Sequence, residues 1–165
     1  MFRAMRRSKQ QLTDNEVIAI LEQGEVGVLA VLGDEGYPYT VPINYVYADG
    51  RILMHSAKSG HKIEAIRGCD KASFCVIGQA DVVAQDYSTN FRSVVAFGRV
   101  RIVEDEAERQ SALLLLGDKY HPGQDAALEA EIAKSGAYAA VIELAMEHAT
   151  GKQSKELAQV RGPLD

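Results

Sequence analysis

A polar loop between an apolar segment and a helix carries the residues best suited to chemistry. Residues 52–66 read I-L-M-H-S-A-K-S-G-H-K-I-E-A-I, which predicts a strand, a glycine-containing loop and a short helix. A helix start presents unpaired N–H groups and the positive end of the helix dipole, so it attracts anions. Small, hydroxyl-bearing or basic residues crowd this loop: Ser56, Ser59, Gly60, His61 and Lys62. The loop indicates a phosphate-sized anion site, with an ordinary serine-capped connection as the alternative.

Two prolines four residues apart mark the second predicted strand. Pro38 and Pro42 lie in Y-P-Y-T-V-P-I-N-Y-V-Y, and their missing N–H groups face the same neighbouring side. The edge along Pro38, Thr40, Pro42 and Asn44 is therefore expected to stay unpaired. It would either face a flat ligand that uses backbone groups or be an edge that proline protects against aggregation. The tyrosines that alternate with this edge are expected in the core or at a dimer interface: Tyr37, Tyr39, Tyr45 and Tyr47.

Periodicity and turn signals predict the elements that position these residues. Thr13 and Glu16 have capping-box spacing, which predicts a helix over 15–23 that Gly24 ends. Helices are also predicted over 106–120 and over the alanine-rich, acidic segment 124–134. Turns are predicted at 33–36 and 49–50, and Gly98 inside a strand predicts a bulge or a close backbone approach.

Six strands are predicted, over 26–32, 37–47, 51–56, 72–77, 93–103 and 137–144. Three consecutive antiparallel strands, one short crossover helix and further strands indicate a mainly β domain over residues 1–165. The expected architecture is a closed or nearly closed barrel with flanking helices.

Composition bounds the function classes. A chain of 165 residues with 47% hydrophobic and 25% charged residues fits one soluble globular domain. The net charge of −5 argues against nucleic acid as the main partner. A basic N-terminal arm, residues 1–11, is followed by no apolar segment, and the longest aliphatic run, 112–116, is too short for a bilayer. Cys69 and Cys75 are expected to be reduced thiols. We therefore expect a cytoplasmic protein without a membrane or metal partner.

Six sequence blocks follow one another in an order that resembles a known family. They are T-V-P-I-N-Y-V-Y, D-G-R-I-L-M-H-S-A-K-S-G-H-K, K-A-S-F-C-V, F-R-S-V-V-A-F-G-R-V-R-I-V-E-D, A-A-V-I-E-L and T-G-K. Over residues 5–156 this order resembles the FMN-binding split barrels related to pyridoxamine 5'-phosphate oxidase, and within them the nitroimidazole-resistance (Nim) type flavoproteins. The resemblance implies a six-stranded antiparallel split β-barrel, a homodimer, and one FMN in each of two clefts between the subunits.

The resemblance also implies roles for individual residues. Residues expected to bind the cofactor are Val41, Pro42, Ile43 and Asn44 beside the flavin ring, His55, Ser56, His61 and Lys62 around the phosphate end, and Arg92 and Ser93 from a later strand. Lys62 suits a phosphate dianion because it is a compact cation. Arg92 has an alternative role in a surface or interface ion pair.

His55 is the catalytic candidate, since the matching histidine of Nim-type relatives lies near the substrate side of the flavin. Its alternative is a histidine hydrogen-bonded in the barrel rim. The implied activity is flavin-dependent reduction of a small-molecule acceptor, nitroaromatic or quinone-like. The alternatives are a non-catalytic flavin-binding or electron-shuttling protein and a haem-handling split barrel.

The chain also departs from these relatives. It has no tryptophan, and His148 and Ala149 precede the late Gly-Lys pair where Nim-type proteins tend to carry an aromatic residue. The basic pattern that pyridoxamine 5'-phosphate oxidase uses for its phosphorylated substrate is not recognisable, so vitamin B6 oxidation is not favoured. The sequence contains neither H-E-x-x-H nor G-x-G-x-x-G, so neither a zinc enzyme nor a Rossmann nicotinamide site is expected.

Overall fold

Six antiparallel strands form a closed barrel in the computed structural model, which describes residues 1–160. The hydrogen-bonded order around the barrel is β1-β2-β3-β6-β5-β4. The strands are β1 (Val26–Leu32), β2 (Pro38–Ala48), β3 (Arg51–Ala57), β4 (Lys71–Val83), β5 (Ser88–Ile102) and β6 (Ala139–Gln153). The predicted fold class, a six-stranded antiparallel sheet with flanking helices, is confirmed.

Within residues 1–160, five α-helices lie around the barrel: α1 (Asp14–Gln23), α2 (His61–Gly68), α3 (Glu106–Tyr120), α4 (Asp125–Ser135) and α5 (Lys155–Val160). The predicted capping box begins α1, because the Thr13 side chain accepts from Glu16 N–H while the Glu16 carboxylate accepts from Thr13 N–H. The Asp105 side chain caps α3 by accepting from Glu108 N–H at 2.9 Å. The helix α5 was not predicted from the sequence.

Three strands are longer than the sequence predicts. β4 continues to Val83 and β5 begins at Ser88, so the two form a hairpin that extends past the barrel. β6 reaches Gln153 instead of residue 144, because its second half pairs with β5. The predicted irregularity at Gly98 is confirmed: the register with β6 shifts there, and a Cβ on Gly98 would lie 2.0 Å from the Ala145 carbonyl oxygen.

The core fills the barrel and continues under α1 and α2. Tyr45 and Phe74 are fully buried and contact each other edge to face, with their ring centres 4.9 Å apart. A second, smaller cluster lies outside the barrel beneath α3 and consists of Leu53, Val103, Ala112 and Val141. Because successive strand residues face opposite sides, the outward-facing side chains of β3 and β6 meet α3.

One stretch of β2 lacks a neighbour on one side. Residues 38–44 pair with β1, whereas β3 pairs only with residues 45–48. The unpaired edge predicted from Pro38 and Pro42 is thus confirmed. Both prolines lie where an N–H group would point away from β1, so their missing donors cost no ladder hydrogen bond.

Residues 1–160 contain no helix that is both long and apolar enough to cross a membrane. Within the same range, no three histidine, cysteine or acidic side chains form a group that could hold a metal ion. Cys69 and Cys75 are free thiols, each half-buried.

Candidate functional site

The loop between β3 and α2 leaves backbone N–H groups at the start of α2 without a side-chain cap. Gly60 precedes α2 with φ of 114°, a conformation that favours glycine, and no side chain caps this helix start. The Gly60 carbonyl accepts from the N–H groups of Ile63 and Glu64 at 2.9 and 3.2 Å. His61 and Lys62, in the first turn, have no intrahelical carbonyl for their N–H groups. The loop therefore directs two backbone donors outward from the positive end of α2.

A cation and a hydroxyl meet beside this helix start. Lys62 Nζ donates to Ser56 Oγ at 3.0 Å, and Ser56 Oγ donates to the Ala57 carbonyl at 3.0 Å. Lys62 and Ser56 are both half-buried. Among residues 1–160 no carboxylate forms an ion pair with Lys62. The predicted grouping of Ser56 and Lys62 is present, and its positive charge is not neutralised by a neighbouring acid.

His61 links α2 to the turn between β1 and β2. Its ring stacks on Tyr39 with ring centres 4.1 Å apart, and its Nε2 accepts from the Asp34 N–H at 3.4 Å. The side chain therefore holds the helix start against β2. Only Nδ1 and the backbone N–H of His61 remain to contact an anion.

The β2 edge lies next to this loop, since Tyr39 belongs to the unpaired segment. Val41 and Ile43 are half-buried, while Pro42 and Asn44 are exposed on the outer face. The Asn44 side chain donates weakly to the Glu25 carbonyl, at 3.4 Å. The four predicted ring-binding residues thus form one continuous stretch with a free backbone edge.

His55 lies on the outer face of β3, opposite Val141 of β6, and is exposed. With Asn44 it lines a cavity of about 570 Å³ between the strands β2 and β3 and the helices α3 and α4. The sequence did not predict this cavity. The available signals were the leucines of α3 and, four residues apart on α4, Leu128 and Ile132, which leave an apolar face over the strands.

In the single chain, Arg92 and Ser93 lie far from His55 along the sheet. Ser93 is opposite Lys152 on β6, whereas His55 is opposite Val141 on the same strand. That separation corresponds to roughly 35 Å of strand at about 3.3 Å per residue. Arg92 Nε approaches Gln153 Oε1 at 3.5 Å and forms no ion pair within residues 1–160. One chain therefore does not bring Arg92 and Ser93 to the Lys62 loop.

Comparison with known proteins identifies the family of this barrel. The family model described as pyridoxamine 5'-phosphate oxidase matches residues 13–153. The chain belongs to this family. No curated protein matches the sequence at a significant level.

Solved structures give the same fold. A candidate 5-nitroimidazole antibiotic resistance protein from Bacteroides thetaiotaomicron is 24% identical, with a TM-score of 0.71 over 87% of this chain and 86% of that one. An FAD-binding protein from Mesorhizobium loti is 25% identical, with a TM-score of 0.66 over 88% and 98%. An FAD- and haem-binding protein from Mycobacterium smegmatis is 21% identical, with a TM-score of 0.75 over 94% and 81%.

Proposed function

We propose that this protein is a homodimeric FMN-dependent reductase of nitroaromatic or quinone-like small molecules. The observation that carries the proposal is the Lys62–Ser56 pair at the uncapped start of α2, next to the unpaired edge of β2. A phosphate and a flat ring joined by a short chain match these two features. The proposal also places the protein in the cytoplasm, where Cys69 and Cys75 would stay reduced.

The residues present fit one terminal phosphate. Lys62 supplies a single half-buried cation, the α2 start supplies N–H donors, and Ser56 supplies a hydroxyl that can rotate toward an anion. The second phosphate of FAD would need a further cationic group, and the nearby Lys58 is exposed. This arrangement favours FMN over FAD.

The free edge of β2 fits the ring. The carbonyls of Thr40 and Pro42 point away from β1 and have no strand partner, so they can accept from a flat heterocycle. When bound, a flavin supplies the hydride or electron transfer, and the protein supplies binding and orientation. His55, exposed beyond the end of this edge, is our candidate for orienting or protonating the acceptor.

A second copy would complete the site. In one chain Arg92 and Ser93 lie at the opposite end of β6 from His55. A homodimer that places this end of one subunit against the Lys62 loop of the other would join the two predicted groups. The flavin would then lie in the cleft between subunits, in contact with both.

Reconstitution tests the cofactor and turnover tests the activity. The purified protein is titrated with FMN, FAD and riboflavin, and its absorbance spectrum is recorded before and after boiling. We expect a yellow protein that binds FMN most tightly and, when supplied with reduced nicotinamide, reduces a nitroaromatic. Equal affinity for riboflavin and FMN would refute the phosphate assignment, and a Soret band in place of the flavin spectrum would refute the function. Tight FMN binding without turnover would leave an electron-shuttling protein.

A further inference from the structure

Apolar side chains of α3 and α4 form one wall of the cavity beneath these helices, and Glu131 and Ser135 of α4 also line it. Leu113 and Leu116 of α3 and Leu128 and Ile132 of α4 form the apolar wall. Its volume of about 570 Å³ is within the range of about 300–1,000 Å³ typical of small-molecule sites. The outer face of β2 and β3 forms the other wall, which includes His55.

The apolar wall is held in place by specific contacts. Gly117 lets the two helices approach closely, because a Cβ there would lie 2.1 Å from Leu128 Cδ1. The Arg109 guanidinium donates to the carbonyls of Gly136 and Ala139, which fixes the end of α4. At the other end, the Tyr120 hydroxyl bonds the Tyr45 backbone. The cavity is therefore preformed and does not need a ligand to assemble its walls.

The charges on the lining select against anions. Among residues 1–160 no lysine or arginine lines the cavity, whereas Glu131 of α4 does. A phosphate or sulfonate group entering here would lose hydration without meeting a cation and would be repelled by that carboxylate. Asn44 and His55 offer hydrogen bonds to a neutral carbonyl or nitro oxygen instead.

From this geometry we infer that the cavity between α3–α4 and β2–β3 is the acceptor chamber and takes uncharged, ring-containing molecules of quinone size. The ring would lie against the leucines and its polar end against Asn44 and His55. This inference rests on the proposed reductase function, since it places the acceptor beside the residue we assign to the reaction. It excludes phosphorylated substrates from the chamber.

Binding of a matched pair of quinones tests the inference without turnover. Menadione is neutral, and 1,4-naphthoquinone-2-sulfonate has a similar ring with one negative charge. Equilibrium dialysis against the flavin-free and the FMN-loaded protein should show menadione binding at least about tenfold more tightly in both. Equal binding of the two quinones would overturn the inference. Loss of menadione binding on FMN loading would also overturn it, because the cavity would then be the flavin site itself.

Two pairs of variants locate the binding. Glu131→Lys should reduce the preference for menadione about three- to tenfold by reversing one nearby charge. Glu129→Lys on the same helix, which lines a neighbouring cavity, should leave the preference unchanged. Leu128→Trp should fill the chamber and abolish menadione binding, whereas Leu115→Trp, at an exposed position of α3 outside the chamber, should not. Equal effects within either pair would overturn the location.

The two proposals can fail separately. If the protein binds menadione with these preferences but binds no FMN, the reductase function is refuted while the assignment of the cavity as a site for neutral quinones stands. A protein that binds FMN and reduces a nitroaromatic, but whose quinone binding ignores Glu131→Lys and Leu128→Trp, would keep the function and refute the chamber.

Discussion

The Tyr120 hydroxyl takes the place of a missing strand residue beside Tyr45. The Tyr45 N–H donates to it at 2.9 Å, and it lies within hydrogen-bond distance of the Tyr45 carbonyl at 2.8 Å. The β1–β2 ladder ends at the pair Val26 and Asn44, one residue before Tyr45, so no strand residue pairs with the Tyr45 N–H and carbonyl on this side. The neighbouring Lys119 donates to the Gly24 carbonyl at 2.6 Å and lies 4.3 Å from the centre of the Tyr45 ring. The end of α3 is thereby anchored where β2 leaves β1.

Removing this hydroxyl should destabilise the protein. Tyr120→Phe leaves the backbone groups of the fully buried Tyr45 without their partner, which costs about 1–3 kcal/mol. Urea unfolding followed by far-ultraviolet circular dichroism measures the loss. Tyr138→Phe is the matched control, since Tyr138 is 78% exposed and should give no measurable change. Equal stability of both variants and the parent would show that water replaces the hydroxyl.

Lys62 should contribute to phosphate binding and to nothing else. Lys62→Ala removes a charge-assisted bond worth about 1.5–3 kcal/mol, which weakens FMN affinity roughly ten- to hundredfold. Riboflavin affinity should be unchanged, because riboflavin lacks the phosphate. Lys58→Ala, in the same loop but exposed, is the control. Fluorescence titration with FMN and with riboflavin measures both affinities for the parent and the two variants. A parallel loss of riboflavin affinity in Lys62→Ala would contradict the assignment.

The His55→Ala variant distinguishes a catalytic role of His55 from a supporting one. If it orients or protonates the acceptor, His55→Ala should retain FMN and lower turnover by about 10²–10⁴, the usual effect of losing a general acid. If it only supports the barrel rim, flavin content or melting temperature should fall instead. The decisive measurement is single-turnover reoxidation of the reduced flavin by a nitroaromatic in fully loaded protein. An unchanged rate would remove His55 from the reaction.

The proposed dimer couples subunit association to cofactor binding. If the flavin contacts both subunits, dilution should release flavin and dissociate subunits over the same concentration range. Sedimentation velocity with detection at flavin and protein wavelengths follows both events. A monomer that retains FMN tightly would contradict the proposal, and Arg92→Ala should then leave FMN affinity unaltered.

Alkaline pH should unfold the protein partly through Tyr45. Burial, and then the neighbouring Tyr120, raise the pKa of Tyr45 above its ordinary value. The unfolded chain loses this proton first, so the stabilisation is complete below about pH 10 and declines as pH rises above it. Phenolate absorbance should show Tyr45 ionising only as the protein unfolds. Ionisation of every tyrosine in the folded protein would contradict this.

Local signals in the sequence predicted much of the fold. The Thr13 capping box, the unpaired proline edge and the Gly98 bulge each follow from the chemistry of one or two residues and are present. The second half of β6 was missed, because Gly151 and the polar residues around it hide the alternation. That segment is a strand because β5 pairs with it, as between Arg92 and Gln153, which no local pattern reveals.

The candidate site was predicted less completely. Ser56 and Lys62 are close in sequence, so their contact followed from the loop itself. The separation of Arg92 from that loop depends on the register of whole strands. The cavity depends on how closely α4 approaches α3. Gly117 permits this approach, but the sequence alone does not show that Leu128 packs against Gly117.

The position of β6 has a consequence for synthesis on the ribosome. β6 pairs with both β3 and β5, and of the six strands within residues 1–160 it is the last to be made. The register joins Ala57 to Ala139, so this pairing must close a loop of more than eighty residues. Until it does, β3 and β5 expose hydrogen-bonding edges in the nascent chain. Closure of the barrel is therefore a late, non-local step, and a nascent chain stalled before residue 139 would present two open edges to chaperones or to other chains.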